Sequence, residues 1–257
     1  MLKKMNSILL SLTFFPIITT FAHPCPKCKH KDRGPTPWDG SNALIGYVRN
    51  TGNTSSSSIN LSTNVLYKKT TWQNTFLGEF QYGKQDGRSN RQYYHFNDQV
   101  QYFLDPTKKN NNFLFLNGDS VITRFGPYRY QMVYAAGYGR QLVNNKTFQL
   151  SAQAGPGYRR NKKNQAGSKI SGTAVLTTQA NATLMLGKWG TLTQSARFDF
   201  AKPYNYLQAT TALTNKIWDH VAIQLSYQIS YYSQIPSGST NTKKLDTVTN
   251  ISLVYNY

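Results

Sequence analysis

Val221-Ala222-Ile223-Gln224-Leu225-Ser226-Tyr227-Gln228-Ile229-Ser230-Tyr231 alternates large apolar with small or polar residues along its whole length. Successive side chains of a strand point to opposite faces, so this stretch reads as a β-strand with one apolar and aromatic face. The same period recurs. Leu61, Val65 and Tyr67 alternate with Asn60, Ser62 and Asn64. Tyr94, Phe96, Val100 and Tyr102 alternate with His95, Asn97, Gln99 and Gln101, and Tyr130, Met132, Tyr134, Ala136 and Tyr138 follow the same rule.

The second face of these strands is Gln, Asn, Ser, Thr and Gly, while charges gather at segment ends. A free surface ordinarily carries Lys and Glu. A small, uncharged polar face suits the lumen of an outer-membrane barrel, whose apolar face meets lipid. Cutting the chain at its turn signals yields twelve segments, at 42–51, 58–69, 72–84, 91–105, 112–125, 128–143, 146–159, 169–187, 190–201, 205–216, 219–234 and 246–257. The expected fold is therefore all-β, a transmembrane up-and-down antiparallel β-barrel of about twelve strands, with ten to fourteen compatible with the pattern. Segment 112–125 is the least regular, because Asn117, Gly118 and Asp119 blur its alternation.

Alternate connections differ in character. The odd-numbered ones include the longest polar loops and are expected outside the cell, which places both termini in the periplasm. Trp38, Trp72, Trp189 and Trp218 then all fall on the periplasmic side, as a girdle of amphipathic rings at a lipid boundary would. The last segment, with Ile251, Leu253, Tyr255 and Tyr257, resembles the C-terminal strand recognised by the outer-membrane insertion machinery.

The N-terminus supplies the route. Lys3 and Lys4 precede an apolar stretch from Ile8 to Phe21, and Thr20-Phe21-Ala22 is a small-x-small site, so residues 1–22 read as a signal peptide cleaved near Ala22. Residues 23–37 form an expected flexible periplasmic arm, and 38–257 the barrel. The 257-residue chain carries 29 Lys+Arg against 10 Asp+Glu, and losing Lys3 and Lys4 lowers its charge from +19 to +17. Such a charge can mark nucleic-acid binding, but an exported chain rarely meets nucleic acid. The 39% hydrophobic content is below the ~45–50% of soluble proteins. A barrel with only alternate residues facing lipid accounts for that.

Several elements carry a family resemblance: Trp38-Asp39-Gly40, Gly46-Tyr47, Thr51-Gly52-Asn53-Thr54 with Asn60, Gln153-Ala154-Gly155-Pro156-Gly157-Tyr158-Arg159-Arg160, Leu225-Ser226-Tyr227, Asp246-Thr247 and Leu253-Val254-Tyr255. In combination they resemble a family described as salt-induced outer-membrane proteins, known as domain of unknown function 481. The resemblance covers about residues 38–257. It implies a β-barrel in the outer membrane of a Gram-negative bacterium, with no established activity. The basic loops and the N-terminal Cys/His segment look atypical of that family.

Few residues suggest chemistry. His23, Cys25, Cys28 and His30 could form a Cys2His2 site for zinc or copper(I), though Lys27, Lys29 and Lys31 would repel a cation. A Cys25–Cys28 disulfide in the oxidising periplasm is the favoured reading of the pair, with an inert tether as the other alternative. His95 and His220 lie in no recognisable nucleophile motif, a solvated lumen or rim position is the ordinary account of both, and acids are too scarce to build a lumenal pair. No enzymatic activity and no cofactor are expected. Arg159, Arg160, Lys162, Lys163 and Lys169 form the densest basic cluster, at the fourth external loop, where they could face lipopolysaccharide phosphates or anionic solutes. Twelve strands lie between a side-chain-filled barrel of about eight and an aqueous channel of about sixteen. The expectation is a narrow passive pore, with anion preference as one form of it, or a structural envelope protein. A surface-binding protein and an outer-membrane hydrolase are the rivals.

Overall fold

A computed structural model describes residues 36–50, 56–105, 112–235 and 244–256. The signal peptide, His23, Cys25, Cys28, His30 and Tyr257 lie outside the described residues. Twelve antiparallel strands close into one barrel, each paired with its sequence neighbours and β1 closing on β12. They are β1 (Asn42–Asn50), β2 (Ser56–Lys68), β3 (Trp72–Gln85), β4 (Arg88–Phe103), β5 (Asn112–Thr123) and β6 (Tyr128–Asn144). Then follow β7 (Phe148–Lys163), β8 (Ile170–Met185), β9 (Thr191–Phe200), β10 (Tyr206–Lys216), β11 (Val221–Tyr232) and β12 (Leu245–Asn256). All exceed or meet the ~9–11 residues that a tilted strand needs to cross a bilayer. Among the described residues, no helix is long and apolar enough to do so.

The sequence segments and the strands agree in number and order, but β7 runs on to Lys163 where the segment ends at 159, and the β3–β4 connection is tighter than expected. A loop was expected from Gly83 to Asn90. Instead the ladder continues to Gln85 opposite Arg88, and Asp86-Gly87 alone make the turn. Both have positive φ, 49° and 75°. That is the two-residue hairpin geometry whose twist matches the flanking strands, and Asp-Gly is among its preferred sequences.

The up-and-down topology puts the β2–β3, β4–β5, β6–β7, β8–β9 and β10–β11 connections on the rim that carries the start of β1 and the end of β12. All four tryptophans lie at this terminal rim. Trp38 packs edge-on against Tyr67, and Tyr67 lies 5.3 Å from Trp72; Trp189 and Trp218 are 68% and 69% exposed. Along the strands, the outward positions are apolar and open: Ile45, Leu61, Phe96, Leu116, Tyr134, Leu225 and Leu253 are all exposed. An apolar belt this continuous is foreign to the surface of a soluble monomer. It is interrupted on β4 by Asp98, which accepts a hydrogen bond from the outward Asn74 of β3 at 2.8 Å.

The interior is not uniform. Toward the terminal rim, inward Phe113, Phe115 and Ala135 form a dry cluster with Phe103. Toward the opposite, distal rim, Tyr128, Tyr204 and Tyr206 form a second cluster with Tyr232. Gly155-Pro156-Gly157 lets β6 and β7 come together between these levels. A Cβ on Gly155 would stand 2.2 Å from the Ala136 carbonyl oxygen, and one on Gly137 2.3 Å from that of Ala154. Pro156, with no N–H to donate, falls where the ladder to β6 lapses between the Ala135–Gly157 and Tyr138–Ala154 pairs. Gly155→Ala is expected to lower stability by about 1–3 kcal/mol, as overpacking does. The check is the urea midpoint of the barrel refolded in lipid vesicles, with unchanged stability as the contrary result.

Candidate functional site

The lumen holds the chemistry, and it divides into two halves. On β3, β4, β5, β7 and β9 the inward positions carry six ionisable side chains that meet in the middle of the barrel. Each sits there by strand period. Glu79, His95 and Asp119 are inward on three consecutive strands, and the 79–95 and 95–121 register pairs bring them level. Arg197 and Asp199 are two apart on β9, hence on one face. Arg159 projects inward from β7, two residues beyond Gly157.

His95 bridges two acids. Its Nδ1 lies 2.7 Å from Glu79 Oε2 and its Nε2 lies 2.8 Å from Asp119 Oδ2. Asn97 donates to the same Asp119 oxygen at 3.0 Å. Arg197 reaches over the lumen from β9 to Asp119 on β5, with Nη1 3.0 Å from Oδ2. Its other edge grips Asp199 through Nε and Nη2, both at 3.0 Å, a bidentate pair. Arg159 is wholly buried. It lies 3.5 Å from Asp199 and donates to the Tyr204 carbonyl at 3.0 Å, with its guanidinium 4.5 Å from the Tyr204 ring centroid.

Three carboxylates therefore face two guanidinium groups and one imidazole. Ionised carboxylates only accept hydrogen bonds, so with all three acids ionised both nitrogens of His95 donate and the cluster is electrically balanced. Such balance is what allows charges to be buried at all. Below this layer, Gln99 of β4 bonds Gln153 of β7 at 3.1 Å, and Gln153 bonds Gln179 of β8 at 3.3 Å. Side chains thus cross this half of the lumen at two levels.

The other half, along β10–β12 and β1–β3, is crossed by no ion pair among the described residues and encloses a cavity. This cavity, of about 190 Å³, is lined by Asn60, Ser62, Asn64, Thr210, Gln224 and Asn250, among others, with Glu79 as its one charged lining residue among the described residues. Its wall is tied by an Asn60–Asn250 hydrogen bond of 2.9 Å that passes over β1. Gly46, between them on β1, lets β12 pack close: a Cβ there would stand 2.8 Å from Ser252 Oγ and 2.9 Å from the Ile251 carbonyl oxygen.

Three positions differ from what the sequence pattern predicts. Arg159, expected at the mouth facing anions, is buried inside the barrel, because the inward phase of β7 that starts at Gly155 and Gly157 carries it into the lumen. Arg160, Lys163 and Lys169 are exposed at the distal rim, and Lys162 is half-buried there. His95, expected in a solvated position, is buried between two acids, and the few acids do make lumenal ion pairs. His220 does sit at the terminal rim, exposed, with Nδ1 3.1 Å from the Asn256 carbonyl oxygen. The cluster left one signal in the sequence: Glu79 and Asp119 are charges in mid-strand and in the inward phase, and Arg197 and Asp199 share the inward phase of β9.

A closed antiparallel barrel, apolar outside and polar within, defines an outer-membrane-type β-barrel. The model of the family described as "Protein of unknown function, DUF481" matches residues 43–257, and the chain belongs to that family. A relative in Escherichia coli strain K12, "Uncharacterized protein YdiY", is 27% identical over 231 residues, which cover 85% of this chain and 83% of that protein. Solved structures with a similar course include a NanC porin, at TM-score 0.48 and 9% identity over 84% of this chain and 99% of that one. The translocator domain of the autotransporter NalP from Neisseria meningitidis follows, at TM-score 0.46 and 10% identity over 84% of this chain and 87% of that one.

Proposed function

We propose that this protein is a narrow passive pore in the outer membrane of a Gram-negative bacterium, with its termini and tryptophan rim in the periplasm. The observation that carries the reading is the divided lumen: one half crossed by balanced ion pairs, the other left as a cavity lined by amides and hydroxyls together with Leu44, Leu77 and Ala212. Such a lining exchanges hydrogen bonds with water and small polar solutes without holding them. The basic residues of the rims stand outside this lining. The pore therefore favours small neutral solutes, and the anion preference suggested by a charge of +17 does not extend into the lumen.

Reconstitution in planar bilayers tests the reading. Small, steady single-channel conductance with little discrimination between potassium and chloride is the expected result, and a silent bilayer containing folded protein contradicts it. The fold itself is expected to show as heat-modifiable migration, the unboiled barrel running faster than the boiled chain.

A second reading, binding of lipopolysaccharide, draws on the distal ends of β6 and β7. Arg129 and Arg160 are exposed there and Lys162 points outward beside them, at the height where an outer leaflet would present phosphates. Replacing Arg160, Lys162 and Lys163 together by Ser is expected to weaken lipopolysaccharide binding and leave conductance unchanged. Unaltered binding would remove this reading.

A further inference from the structure

Above the ion-pair layer, the distal mouth of the barrel contains a cavity of about 270 Å³ that the pore reading does not use. Its walls come from β4, β5, β10, β11 and β12, with the β5–β6 turn alongside. Three tyrosines, Tyr93, Tyr206 and Tyr232, line it together with Ser230, Arg91 and Asp246.

The aromatic wall is fixed from behind. Tyr206 and Tyr232 have ring centroids 4.8 Å apart, and Tyr232 is 5.8 Å from Tyr204 and 6.0 Å from Tyr128. Tyr128 and Tyr204 are themselves stacked at 4.8 Å. Asn161 holds the Tyr204 hydroxyl at 3.0 Å. A lumen that only had to be filled would be served by aliphatic side chains. Tyrosines supply a rigid, amphipathic contact face at low cost in side-chain entropy.

The polar wall is just as specific. Arg91 donates through Nε to Gln81 at 2.6 Å, which orients its guanidinium, and its Nη1 meets Asp246 Oδ2 at a long 3.5 Å. The pair spans the mouth from β4 to β12 and remains partly exposed, at 28% and 59% for the two side chains. It offers donors and an acceptor side by side with no net charge. An anion would compete with Asp246 for Arg91, and a cation would be repelled by Arg91. A vicinal diol satisfies both partners, giving its protons to the carboxylate and accepting from the guanidinium. The cavity is also smaller than the ~300–1,000 Å³ of sites for drug-sized ligands, so it takes a single ring.

From this juxtaposition we propose that the distal vestibule is a binding site for a neutral pyranose ring. The C–H face of the sugar packs on Tyr206 and Tyr232, and its hydroxyls bridge Arg91 and Asp246. The site does not depend on whether the lumen conducts, and binding can be read without any transport measurement.

Saturation-transfer-difference NMR on the folded full barrel in lipid nanodiscs is the test, with methyl α-glucopyranoside, glucuronate and choline as probes. Saturation of the ring C–H protons of the neutral glycoside is expected. Tyr232→Leu is expected to weaken that binding by about tenfold, equivalent to about 1.4 kcal/mol. Asp246→Asn, a conservative change at an exposed side chain, is expected to weaken it severalfold with the barrel intact by heat-modifiable migration. The proposal is overturned if the neutral glycoside gives no signal, if glucuronate or choline binds in its place, or if Asp246→Asn binds as well as the parent protein. A conducting barrel that binds no glycoside would leave the pore standing and remove the sugar site. A silent barrel that binds glycoside would do the reverse.

Discussion

The double substitution Asp119→Ser with Arg197→Ser is expected to raise single-channel conductance severalfold over the parent barrel. Arg197 is the side chain that reaches from β9 over the lumen to β5, and Asp119 is where it lands. Shortening both removes the bridge and its neighbouring bulk from the level at which the lumen is most crossed. The substitution takes away one positive and one negative charge, so the rest of the cluster keeps its balance. His95 remains paired with Glu79 at 2.7 Å, and Arg159 remains beside Asp199 at 3.5 Å. Ser also hydrogen-bonds water, which can fill the vacated volume. Asn60→Ser serves as the comparison, since it breaks only the Asn60–Asn250 tie along the cavity wall and leaves the bridge in place. The comparison is made in planar bilayers at matched voltage and salt. If the double variant conducts no better than the parent, the bridge does not set the constriction, and the Gln99–Gln153 level below it becomes the place to look.

The strand pattern was legible because lipid and lumen impose opposite demands on alternate residues. Through the middle of β11 the rule holds: Ile223, Leu225 and Tyr227 are exposed outward, and Gln224, Ser226 and Gln228 line the cavity. β5 blurred it for a physical reason. Phe113 and Phe115 point inward and are buried in the terminal-rim cluster, while Gly118 and Ser120 point outward on the same side as Asp98 of β4. Where the interior is dry and the exterior locally polar, alternation loses its contrast. The tryptophan rim followed from the parity of the connections alone, because up-and-down topology fixes which turns share a rim.

The lumenal site was harder to see for a different reason. Glu79, Asp119, Arg159 and Asp199 lie on four strands and meet only when the sheet closes. Arg197 finds Asp119 four strands away, through space that no spacing in the sequence encodes. Arg159 illustrates the ambiguity at a single position. Beside Arg160, Lys162 and Lys163 it reads as part of a basic loop, and only the extension of β7 to Lys163 assigns it to the inward phase. The expectation that charges gather at segment ends holds for the lysines. It fails for the residues whose partners lie across the barrel.

Asp199→Leu is expected to cost about 3–5 kcal/mol of stability, the penalty of leaving a buried charge without its partner. Asp199 is completely buried and serves two guanidinium groups, Arg197 through a bidentate pair and Arg159 at 3.5 Å. Arg197 keeps Asp119 when Asp199 is lost, so the cost falls mainly on Arg159, whose remaining contacts are the Tyr204 carbonyl and ring. Asp246→Asn at the mouth makes the contrast. Its carboxylate is 59% exposed and its pair with Arg91 is long, so less than about 1 kcal/mol is expected there. Combining Asp199→Leu with Arg159→Met is expected to restore most of the loss, because replacing both members of a buried pair by apolar groups of similar size is often close to neutral. Urea unfolding of barrels refolded in vesicles, followed by tryptophan fluorescence from the terminal rim, measures all three. If Asp199→Leu unfolds at the parent midpoint, water reaches Arg159 and the upper lumen is wetter than its burial indicates. If the double variant is as unstable as the single one, the loss comes from packing around Asp199 and not from the charge stranded on Arg159.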